Sequence, residues 1–355
     1  MYITNAAGIT GIPAVFLIFA VMVPLLWGCS DADVTADTSY TMEQPANFPK
    51  ATYTLENNPV TKEGFELGRM LFYDTRLSGD STISCSTCHI QQAAFADPAH
   101  RVNHGVANRL GTRNTPALTN VAFRSSFFWD GGSNHLDFVP VNALTSHVEM
   151  DNTMEEVVRR LNDLPEYQKR FKNAFNKEEI DSQQLLHALS QFMVMFVSAN
   201  AKYDKVIRGE GEQFSAEELA GYDLFIAKCS SCHATDLFTD GSYRNNGLDT
   251  DFKKDSGRSR ITELSDDLGK FKVPSLRNVA LTPPYMHDGR FQTLEQVLTH
   301  YARQVKDSPT VDPALRSGDS LGIPITDDER LKIIAFIKTL TDDEFGRDKR
   351  FADPF

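Results

Sequence analysis

Apolar residues recur at helical spacing over residues 154–175 and again over 184–197, so both stretches are predicted as amphipathic helices. Three more helix starts are marked by Ser215-x-x-Glu218, Thr293-x-x-Gln296 and Thr326-x-x-Glu329. In each, the hydroxyl can accept from the amide three residues on, while the Glu or Gln side chain accepts from the cap amide. No run of alternating apolar and polar residues predicts a series of strands. Residues 95–147 and 234–284 carry neither period. Loops that long are uncommon in a compact domain. A large buried cofactor would account for them, because their side chains could pack on it. The expected fold is mainly α, with long irregular loops.

One apolar run stands apart. Residues 9–27 are apolar, end in Gly28-Cys29-Ser30, and give way at once to polar chain. This reads as an export signal, residues 1–29. Leu26-Trp27-Gly28-Cys29 resembles a bacterial lipobox, whose Cys carries lipid after cleavage. A retained transmembrane anchor is the alternative, since the run is just long enough to span a bilayer. Residues 30–49 are predicted as a flexible tether. A first domain is expected over 50–205 and a second over 206–345, joined near the charged, Gly-containing stretch 202–213. A tail, 346–355, is expected to pack back on the first domain. The 355 residues suffice for two cores. The formal charge of −12 argues against nucleic acid. It serves solubility, or suits a basic partner such as a small basic cytochrome.

The cysteines carry the chemistry. There are five: Cys29, Cys85, Cys88, Cys229 and Cys232. Cys85-Ser86-Thr87-Cys88-His89 and Cys229-Ser230-Ser231-Cys232-His233 have the spacing of c-type haem attachment. Two thiols add to the haem vinyl groups, and the adjoining His89 or His233 falls beneath the iron. A redox dithiol does not require the following His, and zinc needs further ligands at compatible spacing. With Cys29 in the lipobox, no Cys is left for a structural disulfide. After each motif comes a long loop with Arg-Asn (Arg113-Asn114, Arg277-Asn278). An aromatic-rich Asp-Gly segment follows, Phe128-Trp129-Asp130-Gly131 in one and Tyr285-Met286-His287-Asp288-Gly289 in the other. The chain reads as a duplicated haem domain, two c-type cytochrome domains with their loops packed on haem.

These segments resemble, in order, the bacterial di-haem cytochrome c peroxidase and MauG family. The match runs from about Phe65 to Tyr301. It includes Leu71-Phe72-Tyr73-Asp74-Thr75-Arg76-Leu77-Ser78-Gly79-Asp80, Gly111-Thr112-Arg113-Asn114-Thr115-Pro116, Glu149-Met150 and Val273-Pro274-Ser275-Leu276-Arg277-Asn278-Val279. The resemblance implies that the N-terminal haem reacts with hydrogen peroxide and that electrons enter at the C-terminal haem. It implies that Trp129 lies between the haems and that Glu149 is the distal acid. One carboxylate can take a proton from the near peroxide oxygen and return it to the leaving one. It also implies a calcium ion at Asn114, Thr282 and Pro284, held by an amide side chain and backbone carbonyls. Two covalent haem c groups follow, with a donor such as a cytochrome c or cupredoxin, a periplasmic location with a lipid anchor as the sole membrane contact, and a homodimer.

Three positions depart from the pattern. Val106, in His104-Gly105-Val106, occupies the place of a distal His that blocks the peroxidatic haem. Val139 aligns with a distal Gln. Tyr301 replaces the Met ligand of the second haem, as in the MauG branch, and Met286 is the other candidate. The expected activity is a cytochrome c peroxidase. A MauG-like oxidase acting on a protein partner and a plain electron-transfer protein are the alternatives. An exposed iron beside Glu149 argues against the last.

Overall fold

In the computed structural model, which describes residues 40–355, helices begin where capping residues put them. α1 (Lys62–Tyr73) opens at Thr61, whose hydroxyl accepts from the Gly64 N–H at 3.0 Å. α2 (Cys85–Cys88) is a single turn, and α3 (Val139–Thr145) carries Pro140 in its first turn. The run 154–175, expected as one helix, is two, α4 (Met154–Asn162) and α5 (Pro165–Phe175). Pro165 disfavours helical backbone at Leu164, which is extended, so the chain breaks there and restarts with the proline inside the new first turn. α6 (Ser182–Met193), α7 (Lys202–Ile207), α8 (Ala216–Lys228), α9 (Ser259–Thr262), α10 (Leu294–Arg303) and α11 (Asp327–Lys338) follow. The capping boxes at Ser215, Thr293 and Thr326 all form and open α8, α10 and α11. Among the described residues, strand is confined to two antiparallel pairs, β1 (Tyr243–Arg244) with β2 (Phe271–Lys272) and β3 (Arg316–Ser317) with β4 (Ser320–Leu321). The fold is mainly α, and residues 95–147 and 234–284 hold only short pieces of helix and strand between irregular stretches.

Among the described residues, two large hydrophobic clusters form, one centred in each half, and a small third gathers Val305, Val311 and Leu315. In the first, α1 packs on α6 around Phe65, Phe72, Phe192 and Phe196. In the second, α8 packs on α11 around Phe225, Ile333 and Phe336. Each crossing needs a glycine. A Cβ on Gly68 would lie 2.0 Å from the Ala188 carbonyl oxygen, and one on Gly221 would lie 1.9 Å from that of Lys332. The tail joins the first cluster: the Phe351 ring sits 5.2 Å from Phe196, and the Tyr73 hydroxyl donates to the Phe351 carbonyl at 2.7 Å.

Two segments read as free chain are anchored. The tether was expected to reach residue 49, yet the Tyr40 ring meets Phe65 at 5.3 Å. Phe48 is buried in the first cluster. Polar composition concealed these two aromatic anchors. The charged stretch from Lys202 opens as α7, with Tyr203 and Asp204 buried. The Asp204 carboxylate takes both terminal nitrogens of Arg277 at 2.8 Å, with the two side chains 0% and 1% exposed. Arg277 also lies 4.4 Å over the Phe48 ring. The export segment with Cys29, and residues 30–39 of the expected tether, lie outside the described residues.

The internal repeat is visible in the backbone. Asn120 and Asn278 both adopt positive φ, 58° and 60°, and each begins a 3-10 turn, Val121–Phe123 and Val279–Leu281. At the same sequence offset, Phe128 matches Met286 (64° and 76°) and Gly131 matches Gly289 (73° and 66°). The bridges Phe127–Ser133 and Tyr285–Phe291 also correspond. The Arg-Asn correspondence of the sequence is therefore corrected: Asn278 pairs with Asn120, and Asn114 pairs with Lys272. The halves meet at those positions. The Asn114 N–H donates to the His287 carbonyl at 2.8 Å, and the Lys272 N–H to the Trp129 carbonyl at 2.7 Å. Asp130 adds a second tie. It accepts from Arg113 at 2.6 Å and Arg260 at 2.5 Å, and Arg113 also grips Asp255. Burial opposes ionisation of Asp130, but the guanidiniums of Arg113 and Arg260 hold its carboxyl below the usual range.

Candidate active site

Each Cys-x-x-Cys-His segment closes one helical turn, with the His N–H donating to the carbonyl of the first Cys: His89 to Cys85 at 2.9 Å, His233 to Cys229 at 3.0 Å. The turn brings two thiols and an imidazole to one place. His89 Nδ1 lies 2.7 Å from the Phe95 carbonyl oxygen, and His233 Nδ1 lies 3.1 Å from that of Phe238. Phe95 and Phe238 both have positive φ, 60° and 54°. A carbonyl only accepts, so Nδ1 carries the proton and the Nε2 lone pair is left for a metal. Burial pushes both imidazole pKa values down, which keeps the rings neutral.

The four cysteines of the motifs form no disulfide. Burial pushes the Cys85 and Cys229 thiols up to about 12 and that of Cys88 to about 11, and raises that of Cys232. A redox dithiol needs thiolate, which burial disfavours here. Among the described residues, no three His, Cys, Asp or Glu side chains converge where an ion could sit. What these residues fit is haem: two buried thiols, and a neutral imidazole with a free Nε2.

A cavity of about 460 Å³ opens beside the second motif, within the range of cofactor pockets. Cys229, Cys232, His233, Met286, Tyr301 and Trp129 line it. Burial raises the Tyr301 hydroxyl to about 12, and the nearby Asn246 amide opposes that shift. Asn246 Nδ2 also lies 3.4 Å from Met286 Sδ. Asn246, Met286 and Tyr301 all line this one cavity, and the amide bonds Met286. Asn114, Thr282 and Pro284 share the same cavity wall. The Trp129 indole N–H donates to the Asn114 carbonyl at 2.9 Å.

The first site is built around a backbone contact. The Val106 N–H donates to the Glu149 carbonyl at 2.8 Å. Gly105 approaches so closely that a Cβ would lie 2.4 Å from the carbonyl oxygens of Val148 and Glu149. Burial raises the Glu149 carboxyl to about 7, and its charge is felt at Cys85 and Cys88. The His104 carbonyl lies 4.0 Å from Cys88 Sγ, while its ring tilts against His100 at 4.3 Å. His100 is itself held by Asp97 at 2.9 Å.

Residues 62–212 match the di-haem cytochrome c peroxidase family. The chain is 33% identical to the methylamine utilization protein MauG of Methylorubrum extorquens over 323 residues, 88% of this chain and 89% of that one. It belongs to the di-haem cytochrome c peroxidase and MauG family. The cytochrome c551 peroxidase of Nitrosomonas europaea is 32% identical over 290 residues, 81% of this chain and 82% of that one. A solved MauG-like protein associated with microbial copper homeostasis has the same fold, with a TM-score of 0.79 at 33% identity over 88% of this chain and 98% of that one. Membership in this family implies two haem cofactors, in agreement with the two motifs.

Set in a di-haem family member, two cations missed in the sequence gain meaning. Arg124 and Lys272 both line the second cavity. Arg124 donates to the Thr119 carbonyl at 2.6 Å and Lys272 to that of Ser126. Neither has a carboxylate partner among the described residues. Burial lowers Arg124 to about 10, and burial with the neighbouring Arg124 charge lowers Lys272 to about 7. Half-buried cations without a carboxylate partner are costly, so this wall suits an anion. No motif contains either residue, and only an unpaired base flanked by apolar chain could have signalled them.

Proposed function

We propose that the protein is a periplasmic cytochrome c peroxidase, reducing hydrogen peroxide to water with electrons from a small redox protein. The reaction consumes one peroxide, two electrons and two protons and yields two waters. The observation that carries this reading is Glu149, a desolvated carboxyl with a pKa of about 7, fixed against Gly105 and Val106 where no imidazole stands. At neutral pH such a group passes readily between its two forms. It can take the proton of the near peroxide oxygen and deliver it to the leaving oxygen. Haem iron, when bound, would relay the donor's electrons to peroxide. Cys85, Cys88 and His89 would hold one haem, and Cys229, Cys232 and His233 the other, with Tyr301 lining the cavity of the second. Arg124 and Lys272 neutralise haem carboxylates. Trp129, standing on the wall of the second cavity, links it to the first half. Electrons enter at the second haem.

Steady-state peroxide consumption with reduced cytochrome c or cupredoxin as donor tests the proposal, and no donor-dependent turnover would sink it. Val106 cannot ligate iron, so the fully oxidised protein should react with peroxide at once and give a high-spin ferric signal in electron paramagnetic resonance. Two low-spin signals, one of them lost in His104→Ala, would mean that His104 blocks the site. The alternative reading is a MauG-like oxidase acting on a protein partner. The buried Tyr301 and the likeness to MauG favour it. Peroxide consumption that requires a protein substrate would select it.

Covalent attachment predicts an intact mass two haems above that of the processed chain; a gain of one or none would refute it. Asn114, Thr282 and Pro284 are proposed to hold calcium through an amide side chain and main-chain carbonyls, hard donors suited to that ion. Exhaustive chelation should lower the melting temperature and slow electron transfer between the haems. If neither responds, the ion is not there.

A further inference from the structure

The loop carrying Asn246 is fixed from both sides. Asn245 is buried; its Oδ1 accepts from the Gly247 N–H at 2.9 Å, and its Nδ2 donates to Ser308 Oγ at 3.0 Å and Thr310 Oγ1 at 2.9 Å. Its carbonyl accepts from the Asp312 N–H at 2.9 Å. Gly247 has φ +68°, and a Cβ there would lie 2.5 Å from Val305 Cγ1. Its carbonyl accepts from the Lys306 N–H at 2.8 Å. The Asn246 carbonyl is itself held by His300 Nε2 at 2.9 Å. The Asn246 amide is therefore presented to the cavity by a rigid frame.

That amide lies 3.4 Å from Met286 Sδ, one of the two candidate ligands, while Tyr301, the other, lines the same cavity, and an amide nitrogen only donates. Donation to Met286 Sδ occupies the thioether with a weak hydrogen bond. Met286 takes its positive φ in common with Phe128, so its backbone follows the repeated motif and is not a special device for bringing sulfur to iron.

We propose that Asn246 is a positioning residue that selects Tyr301 over Met286 as the distal partner of the second haem. This rests on the reading of the second cavity as a haem site with Tyr301 on the iron.

The test is spectroscopy and potentiometry of the ferric holoprotein. Asn246→Leu keeps the shape and removes both donors, and Asn246→Ala serves if the larger side chain disturbs folding. The tyrosinate-to-iron charge-transfer band should be lost and a near-infrared thioether-to-iron band should appear. The midpoint potential of the second haem should rise, since a methionine ligand raises it. Adding Met286→Leu to the Asn246 variant should abolish the thioether band. Unchanged bands and potential in both Asn246 variants would overturn the proposal. Tyr301→Phe separates the two failures. If it removes the tyrosinate band while the Asn246 variants do not, the haem reading stands and selection by Asn246 falls. If Tyr301→Phe leaves the spectrum unchanged, Tyr301 is not the partner and both fall.

Discussion

Replacing Glu149 by glutamine is expected to cost a factor of about 10²–10⁴ in peroxide turnover while leaving both haems attached. Glutamine keeps the shape of the side chain but cannot accept and return a proton. The pH dependence provides a second check. Burial holds the Glu149 carboxyl at about 7 rather than its ordinary 4.5. Turnover by the parent should therefore fall as pH drops through about 7, where the acceptor becomes protonated, and the variant should lose that inflection. Stability should move the other way. A carboxyl raised on folding favours the folded state below its unfolded pKa, and that contribution is lost as pH rises through the folded value. Above pH 7 the parent must keep a charge in a dry site and the glutamine variant need not. The variant should be at least as stable as the parent there. Near-normal turnover would remove Glu149 from the mechanism.

Asp204→Ala is expected to destabilise the protein by about 3–5 kcal/mol, the cost of leaving a buried charge without its partner. Asp204 Oδ1 accepts from Arg277 and from Asn47 Nδ2 at 2.9 Å, while Oδ2 accepts from Arg277 and the Ala201 N–H at 3.0 Å. Arg277 donates in addition to the Asp236 carbonyl at 2.6 Å, so it cannot swing out to water without dismantling the loop after the second Cys-x-x-Cys-His. The exposed pair Arg159–Asp163 is the contrast. Its removal by Asp163→Ala should cost about 0–1 kcal/mol. Denaturant midpoints of the two holoprotein variants read both effects. A loss for Asp204→Ala no larger than that for Asp163→Ala would show that Arg277 finds another partner.

What could be read in the sequence was local. A capping box spans four residues and forms wherever its helix forms, so Ser215, Thr293 and Thr326 were legible. The Cys-x-x-Cys-His segments close within one turn, and the same turn orients the histidine, so both attachment motifs stood out. Pro165 was as local a signal, and the helical period on either side of it concealed the break. The remainder depends on contacts between residues far apart in the chain. Arg124, Lys272 and Asn246 are ordinary polar residues until the fold brings them to one cavity. Tyr40 and Phe48 look like parts of a polar tether until Phe65 and Arg277 receive them. The correspondence of Asn120 with Asn278 was hidden because the match is one of backbone angle, while the recurrence of Arg-Asn drew attention to Asn114.

The two bonds exchanged between Asn114 and His287 and between Lys272 and Trp129 have the form of an isologous contact, in which each partner offers the same pair of positions to the other. Such a contact is the mark of a two-fold dimer, here held within one chain. Because both bonds run between main-chain atoms, they place no demand on the side chains. The four positions carry an amide, an ammonium, an imidazole and an indole, and the registration of the halves survives all of them. A duplicated chain of this kind can specialise one half for one chemistry and the other for another without renegotiating how the two are joined.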